Sequence, residues 1–117
     1  MARQVTLYGI PNCDQVKKAR AWLDARGVAY TFHDFKKQGL EKSLAQGWLS
    51  QLGADTLINR KGTTWRALDD AQKAKANAPA GALALVTTQP SLVKRPVLDA
   101  GGSLSVGFTP ETYAKLF

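Results

Sequence analysis

Cys13 is the only cysteine in the 117-residue chain, and its surroundings suit a nucleophile. An apolar run, Val5-Thr6-Leu7-Tyr8, precedes it, and a helix-like stretch opens at Asp14. Gly9, Pro11 and Asn12 mark a turn between the two. A thiol at that junction stands at a helix N-terminus, where unpaired backbone N–H groups and the helix dipole favour the thiolate, the reactive form. A lone cysteine is more often a small buried apolar residue. The strand–turn–helix context tilts this one toward chemistry.

The neighbours narrow the chemistry further. Position 16 is Val, so the Cys-x-x-Cys dithiol is absent and a resolving thiol must come from outside the chain. Six residues separate Cys13 from Arg20 and read as helix, which sets that arginine along the helix rather than round a phosphate as in cysteine phosphatases. His33 is the only histidine. With one cysteine it offers too few ligands for a metal site, so no metal is expected and His33 reads as structural. Asn12 is placed to donate to the thiolate or to cap the helix. Lys17, one turn on, adds positive potential, and Asp14 opposes it.

The elements that must position Cys13 follow from periodicity and turn residues. Val5–Tyr8 reads as a strand and 14–26 as a helix, with Val16, Ala19 and Leu23 on one face and Gly27 as its stop. The alternation over 28–33 predicts a second strand, parallel to the first through a right-handed crossover. Leu40, Leu44, Trp48 and Leu52 recur every fourth residue, one buried helix face before Gly53. Residues 55–59 predict a short helix, Arg60-Lys61-Gly62 a loop, and Thr63 or Thr64 a cap for a helix through Trp65 and Leu68. Pro79 suits a first helical position for an apolar helix over 80–86 that ends before Pro90. Val97-Leu98 and Leu104-Ser105-Val106 flank Gly101-Gly102, a hairpin signal. Thr109-Pro110-Glu111 reads as a cap, a first-turn proline and an acidic first turn. The order βαβ, helical insert, ββα predicts one α/β domain over residues 1–117: a thioredoxin-like fold with a mixed four-stranded sheet and an inserted helical block.

Composition bounds the setting. A chain of this length with 44% apolar residues can bury a core without staples. One cysteine cannot form an internal disulfide, which points to a reducing compartment. The N-terminal residues lack a signal-peptide pattern and no run approaches a membrane span, so a cytoplasmic monomer with no membrane partner is expected. Sixteen Lys and Arg against nine Asp and Glu give +7, which favours an anionic ligand. The charges fall in scattered doublets without a nucleic-acid-binding signature, so a small anionic substrate ranks above nucleic acid.

Four segments in order resemble the ArsC family of arsenate reductase–like proteins, which includes the Spx regulators: Tyr8-Gly9-Ile10-Pro11-Asn12-Cys13-Asp14, Asn59-Arg60-Lys61-Gly62-Thr63-Thr64-Trp65-Arg66, Lys94-Arg95-Pro96-Val97 and Val106-Gly107-Phe108. The similarity is greatest to its small YffB branch. The resemblance implies that Cys13 is the redox nucleophile, with Arg95 beside it in the catalytic set. It further implies that Asn12, Arg60 and Pro96 contact substrate, with Pro96 a cis-proline at the start of the third strand. Arsenate reductases of this type hold the oxyanion with three arginines and complete the reduction with glutathione and glutaredoxin. Arg60 and Arg95 match two of the three, whereas Val106-Gly107-Phe108 stands where the third belongs. A tetrahedral oxyanion is best held by several guanidinium forks. The resemblance therefore implies a glutathione-dependent thiol reductase with no bound cofactor and glutathione as co-substrate, and arsenate reduction that is weak. The alternative it carries is an Spx-like interaction module that binds RNA polymerase without catalysis.

Overall fold

The computed structural model describes residues 4–117, the side chain of Lys36 excepted. The chain divides into two compact units, Met1–Gln38 with Arg95–Phe117, and Gly39–Lys94.

The first unit is a four-stranded mixed sheet with helices. Its elements are β1 (Val5–Gly9), α1 (Asp14–Ala25), β2 (Thr31–Asp34) and a short α2 (Phe35–Gln38). Across the sheet lie β3 (Val97–Ala100) and β4 (Ser103–Val106), and α8 (Pro110–Leu116) closes the chain. The strand order is β2-β1-β3-β4. β1 runs parallel to β2, with Leu7 opposite Phe32, and antiparallel to β3, with Leu7 opposite Leu98. β3 and β4 form the expected hairpin at the sheet edge. This is the thioredoxin-like arrangement, with the helical block inserted between α2 and β3.

Strand alternation directs Val5, Leu7 and Leu98 to one face, where they pack with Ala19 and Leu23 of α1 and Tyr113 of α8. Leu23 and Leu98 are wholly buried, each worth about 1.5–3 kcal/mol relative to exposure. Gly9 lets α1 approach the end of β1. A Cβ there would lie 2.7 Å from Cγ2 of Val16, too close for a rigid β-branched side chain to accommodate.

Two boundaries differ from the sequence reading. β2 begins at Thr31, because residues 27 and 28 close α1. Val28 N–H donates to the Leu23 carbonyl (3.0 Å) and Gly27 N–H to Asp24 (3.1 Å), with Gly27 at φ 68°. That is a Schellman motif, and it commits Val28 to the helix end. α2 was not anticipated: four residues are too few to show a period. The hairpin turn follows expectation, with Gly101 and Gly102 at φ 64° and 98° and the Asp99 carboxylate accepting from Gly102 N–H (2.8 Å). So does Thr109, whose hydroxyl caps α8 by accepting from Thr112 N–H.

The second unit is helical: α3 (Lys42–Leu52), α4 (Ala54–Leu57), α5 (Thr63–Arg66), α6 (Asp70–Lys75) and α7 (Pro79–Thr88), followed by a 3-10 turn at Pro90–Leu92. Trp48 of α3 and Ala82, Leu85 and Val86 of α7 are buried. Gly81 sits where any Cβ would collide with the Lys75 carbonyl, so α7 packs directly on the end of α6. Ile58 and Val93 form an isolated antiparallel bridge, flanked by bonds from Asn59 N–H to Leu92 and from Lys94 N–H to Leu57. That bridge ends α4 at Leu57 rather than Asn59. Gly62, not Thr63 or Thr64, is the residue preceding α5. α6 was missed, although Asp69 and Gln72 carry the signature of its capping box.

Candidate active site

Cys13 stands at the N-cap of α1. Pro11 and Asn12 are the central residues of a turn closed by Cys13 N–H donating to the Ile10 carbonyl (3.2 Å), positions both residues favour. The Cys13 carbonyl accepts from Lys17 N–H (2.9 Å), the first helical bond of α1. Its backbone is extended, and no side chain caps the helix. The leading N–H groups of α1 thus have no capping acceptor, and the half-buried thiol is the side chain at their position. Asn12, one residue earlier, is exposed and makes no capping bond.

Sheet register sets what lies at the same end of the first unit. Tyr8 pairs with Val97, and Val97 with Val106. The segments that continue from these rows are therefore Gly9 to Cys13 from β1, Arg95-Pro96 into β3, and Gly107-Phe108 out of β4. The Arg95–Pro96 peptide is cis, as the resemblance implied. The Pro96 carbonyl accepts from Gly107 N–H (2.9 Å), so that oxygen is already committed. Arg95 is half-buried and, among the described residues, makes no hydrogen bond or ion pair. A half-buried guanidinium with every N–H free of protein acceptors is suited to an anionic ligand.

Other residues are accounted for by packing. Phe108 meets Tyr113 edge-on, ring centroids 4.8 Å apart, so the segment without the third arginine contributes an apolar contact instead of charge. Arg20 donates from Nε to the Tyr30 hydroxyl (3.2 Å) and lies over the Phe32 ring. It belongs to the side of α1, as the spacing required. His33 packs against Tyr8 and Phe35, a structural setting.

Arg60 belongs to the second unit. It pairs with Asp55 (Nη2 to Oδ1, 2.7 Å) and lies over the Trp65 ring, Cζ 5.0 Å from the centroid. Sequence reasoning missed both partners. Asp55 lies five residues earlier, within α4, and only the fold of the following loop brings Arg60 back to it. An open groove of about 860 Å³ in this unit runs between α3 and the start of α7, past Lys42, Leu49, Ala78 and Leu83. Among the described residues it is lined by no cysteine, histidine or arginine and contains none of the site residues named from the sequence.

The ArsC family model matches residues 8–116. The chain belongs to the ArsC family. A solved YffB protein is 48% identical, covering 97% of this chain and 98% of its own, with a TM-score of 0.91. An arsenate reductase–related protein from Brucella melitensis is 47% identical over 96% of this chain and 92% of its own, TM-score 0.76. The global transcriptional regulator Spx of Streptococcus pyogenes is 27% identical over 92% of this chain and 80% of its own length. No described helix is long and apolar enough to cross a membrane.

Proposed function

We propose that this ArsC-family chain is a glutathione-dependent thiol reductase with Cys13 as its nucleophile and Arg95 as the cation beside it. The observation that carries this reading is the pairing of a thiol at an uncapped helix N-terminus with an uncommitted arginine entering β3 at the same end of the sheet. The relation to an arsenate reductase–related protein supports it.

The reaction that fits one thiol is exchange on a mixed disulfide of glutathione. The Cys13 thiolate attacks the glutathionyl sulfur, a new S–S bond forms to Cys13, and the substrate leaves as a thiolate that takes a proton from water. A second glutathione thiolate then attacks the glutathionyl sulfur of that adduct, forming oxidised glutathione and returning Cys13 as thiolate. The substrate sulfur is reduced and the sulfur of the incoming glutathione is oxidised, while the glutathionyl sulfur stays at the disulfide level throughout, so electrons balance with one glutathione as sole reductant. A glutaredoxin dithiol can replace the second glutathione by resolving the same adduct. Asn12 and Pro96 border the thiol in this scheme, and Arg95 answers a carboxylate of glutathione.

Arsenate is the weaker substrate, because the Gly107-Phe108 segment supplies no third guanidinium and Phe108 is taken up by packing. Calorimetric titration with glutathione, run beside a coupled arsenate-reduction assay with Cys13→Ser as control, tests the assignment. Glutathione binding with Cys13-dependent disulfide turnover is the expected result. Robust Cys13-dependent arsenate turnover without glutathione binding would overturn it. The relation to Spx regulators supports a second reading, a non-catalytic interaction module. Absence of both binding and turnover would select that one, and a pull-down with RNA polymerase would then test it.

A further inference from the structure

The groove between α3 and α7 lies wholly within the second unit and contains none of the residues of the thiol chemistry. Its floor is apolar. Ala76, Ala82 and Leu83 are buried along it, and Leu49 lines it half-buried, outside the stripe of Leu44, Trp48 and Leu52. Gln46, Ser50 and Asn77 give it an exposed polar rim. Lys42 is the only charged residue among the described residues that line it. Helical spacing puts Lys42, Gln46, Leu49 and Ser50 on one face of α3. Lys42 makes no ion pair among the described residues, and Glu41, its neighbour in sequence, does not line the groove. It also stands in the first turn of α3, where the helix dipole disfavours a cation, so helix stability does not account for it. An adjoining smaller recess shares Gly53, Ala54, Ala76 and Asn77 and adds Asp55, whose carboxylate is taken by Arg60. Ala78 and Ala80 line the groove as well. Nothing caps α7, and the N–H of Ala80 has no acceptor among the described residues.

We propose that this groove binds a small amphipathic carboxylate, with its apolar body over Leu49, Ala82 and Leu83 and its anionic head at Lys42. An apolar surround with a few fixed polar groups is the usual make-up of a small-molecule site, and about 860 Å³ is a fitting size for one. A neutral apolar ligand would leave the Lys42 charge unanswered, and a bare anion would gain nothing from the floor. The groove matches a molecule that carries both. Its body supplies affinity in proportion to the apolar area it loses from water. Its head fixes the orientation, because the one acid next to the groove, Asp55, is already neutralised by Arg60 and leaves the lining net positive.

The test titrates sodium octanoate into the full-length protein and follows the backbone amides by NMR, with octanamide and acetate as companion probes. Octanoate should shift the amides of Leu49, Gly53, Asn77, Ala80 and Leu83 saturably, and acetate should leave them in place. Octanamide should bind about fivefold more weakly than octanoate, the loss expected for one charge pair near the surface. Lys42→Gln should weaken octanoate about fivefold and leave octanamide unchanged. Lys42 is exposed, so this variant should fold. Ser50→Phe, on the exposed rim, should obstruct the groove and weaken both ligands alike. Cys13→Ser should bind octanoate as the wild type does. Equal affinities for octanoate and octanamide, an unaltered octanoate affinity in Lys42→Gln, or no saturable shift of these amides would overturn this inference and leave the thiol reductase standing. Shifts of the same amides that follow protein concentration alone would assign the groove to a second copy of the chain, and would overturn it too.

Discussion

Cys13 and Arg95 are available for the proposed chemistry because of bonds they do not make. The thiol caps nothing, and the guanidinium is not spent on a carboxylate. A single cation close to a thiolate is worth on the order of 1 kcal/mol in solvent-exposed surroundings. Alkylation of Cys13 by iodoacetamide at neutral pH should therefore slow about fivefold in Arg95→Ala, and an unchanged rate would remove Arg95 from the site. Tyr113 is the opposite case. Its buried hydroxyl has no partner among the described residues, and burial pushes the phenol well above its ordinary value. The native state keeps this proton where the unfolded chain has lost it. Stability is thus fully present below pH ~10 and falls above it, by up to about 1.4 kcal/mol per pH unit. Tyr113→Phe should raise stability in urea by about 1 kcal/mol near neutrality and flatten the alkaline decline. A steeper decline in the variant would contradict this account.

Elements position these residues through a few close approaches. Gly9 allows α1 to begin directly over the end of β1, and the Cys13 turn follows from that contact. Gly9→Ala should cost about 1–3 kcal/mol by overpacking against Val16 and lower Cys13 reactivity along with stability; denaturant midpoints and alkylation rates measured on one preparation check both. Thr109→Ala removes the α8 cap and should cost about 1 kcal/mol, leaving Cys13 reactivity unchanged because α8 touches the site only through the core. Helix ends were legible where a side chain states them, as Gly27 and Thr109-Pro110 do. They were less legible where backbone pairing intervenes. The bridge of Ile58 with Val93 cuts α4 short, and no local pattern around residue 58 announces a partner so distant in sequence.

At the scale of the molecule, the +7 charge makes the protein an attractor for anions. Under the proposed glutathione reading, association with this anion should weaken as ionic strength rises, with KM increasing between low salt and about 0.15 M, where the screening length is ~8 Å, while kcat stays constant. A salt-independent KM would show that local contacts alone hold the co-substrate. The sequence by itself determined the order of the strands, the hairpin and the strand–turn–helix setting of Cys13. Each of these rests on neighbours along the chain, on periodicity or on turn residues. Only the tertiary structure decided which arginines are free. Arg20 faces Tyr30 and Phe32, Arg60 is held by Asp55 and Trp65, and Arg95 is left uncommitted. A guanidinium carries the same charge in every one of these settings. Its availability depends on which acceptors and rings the fold brings within reach, and those lie at distances in sequence that no local pattern encodes.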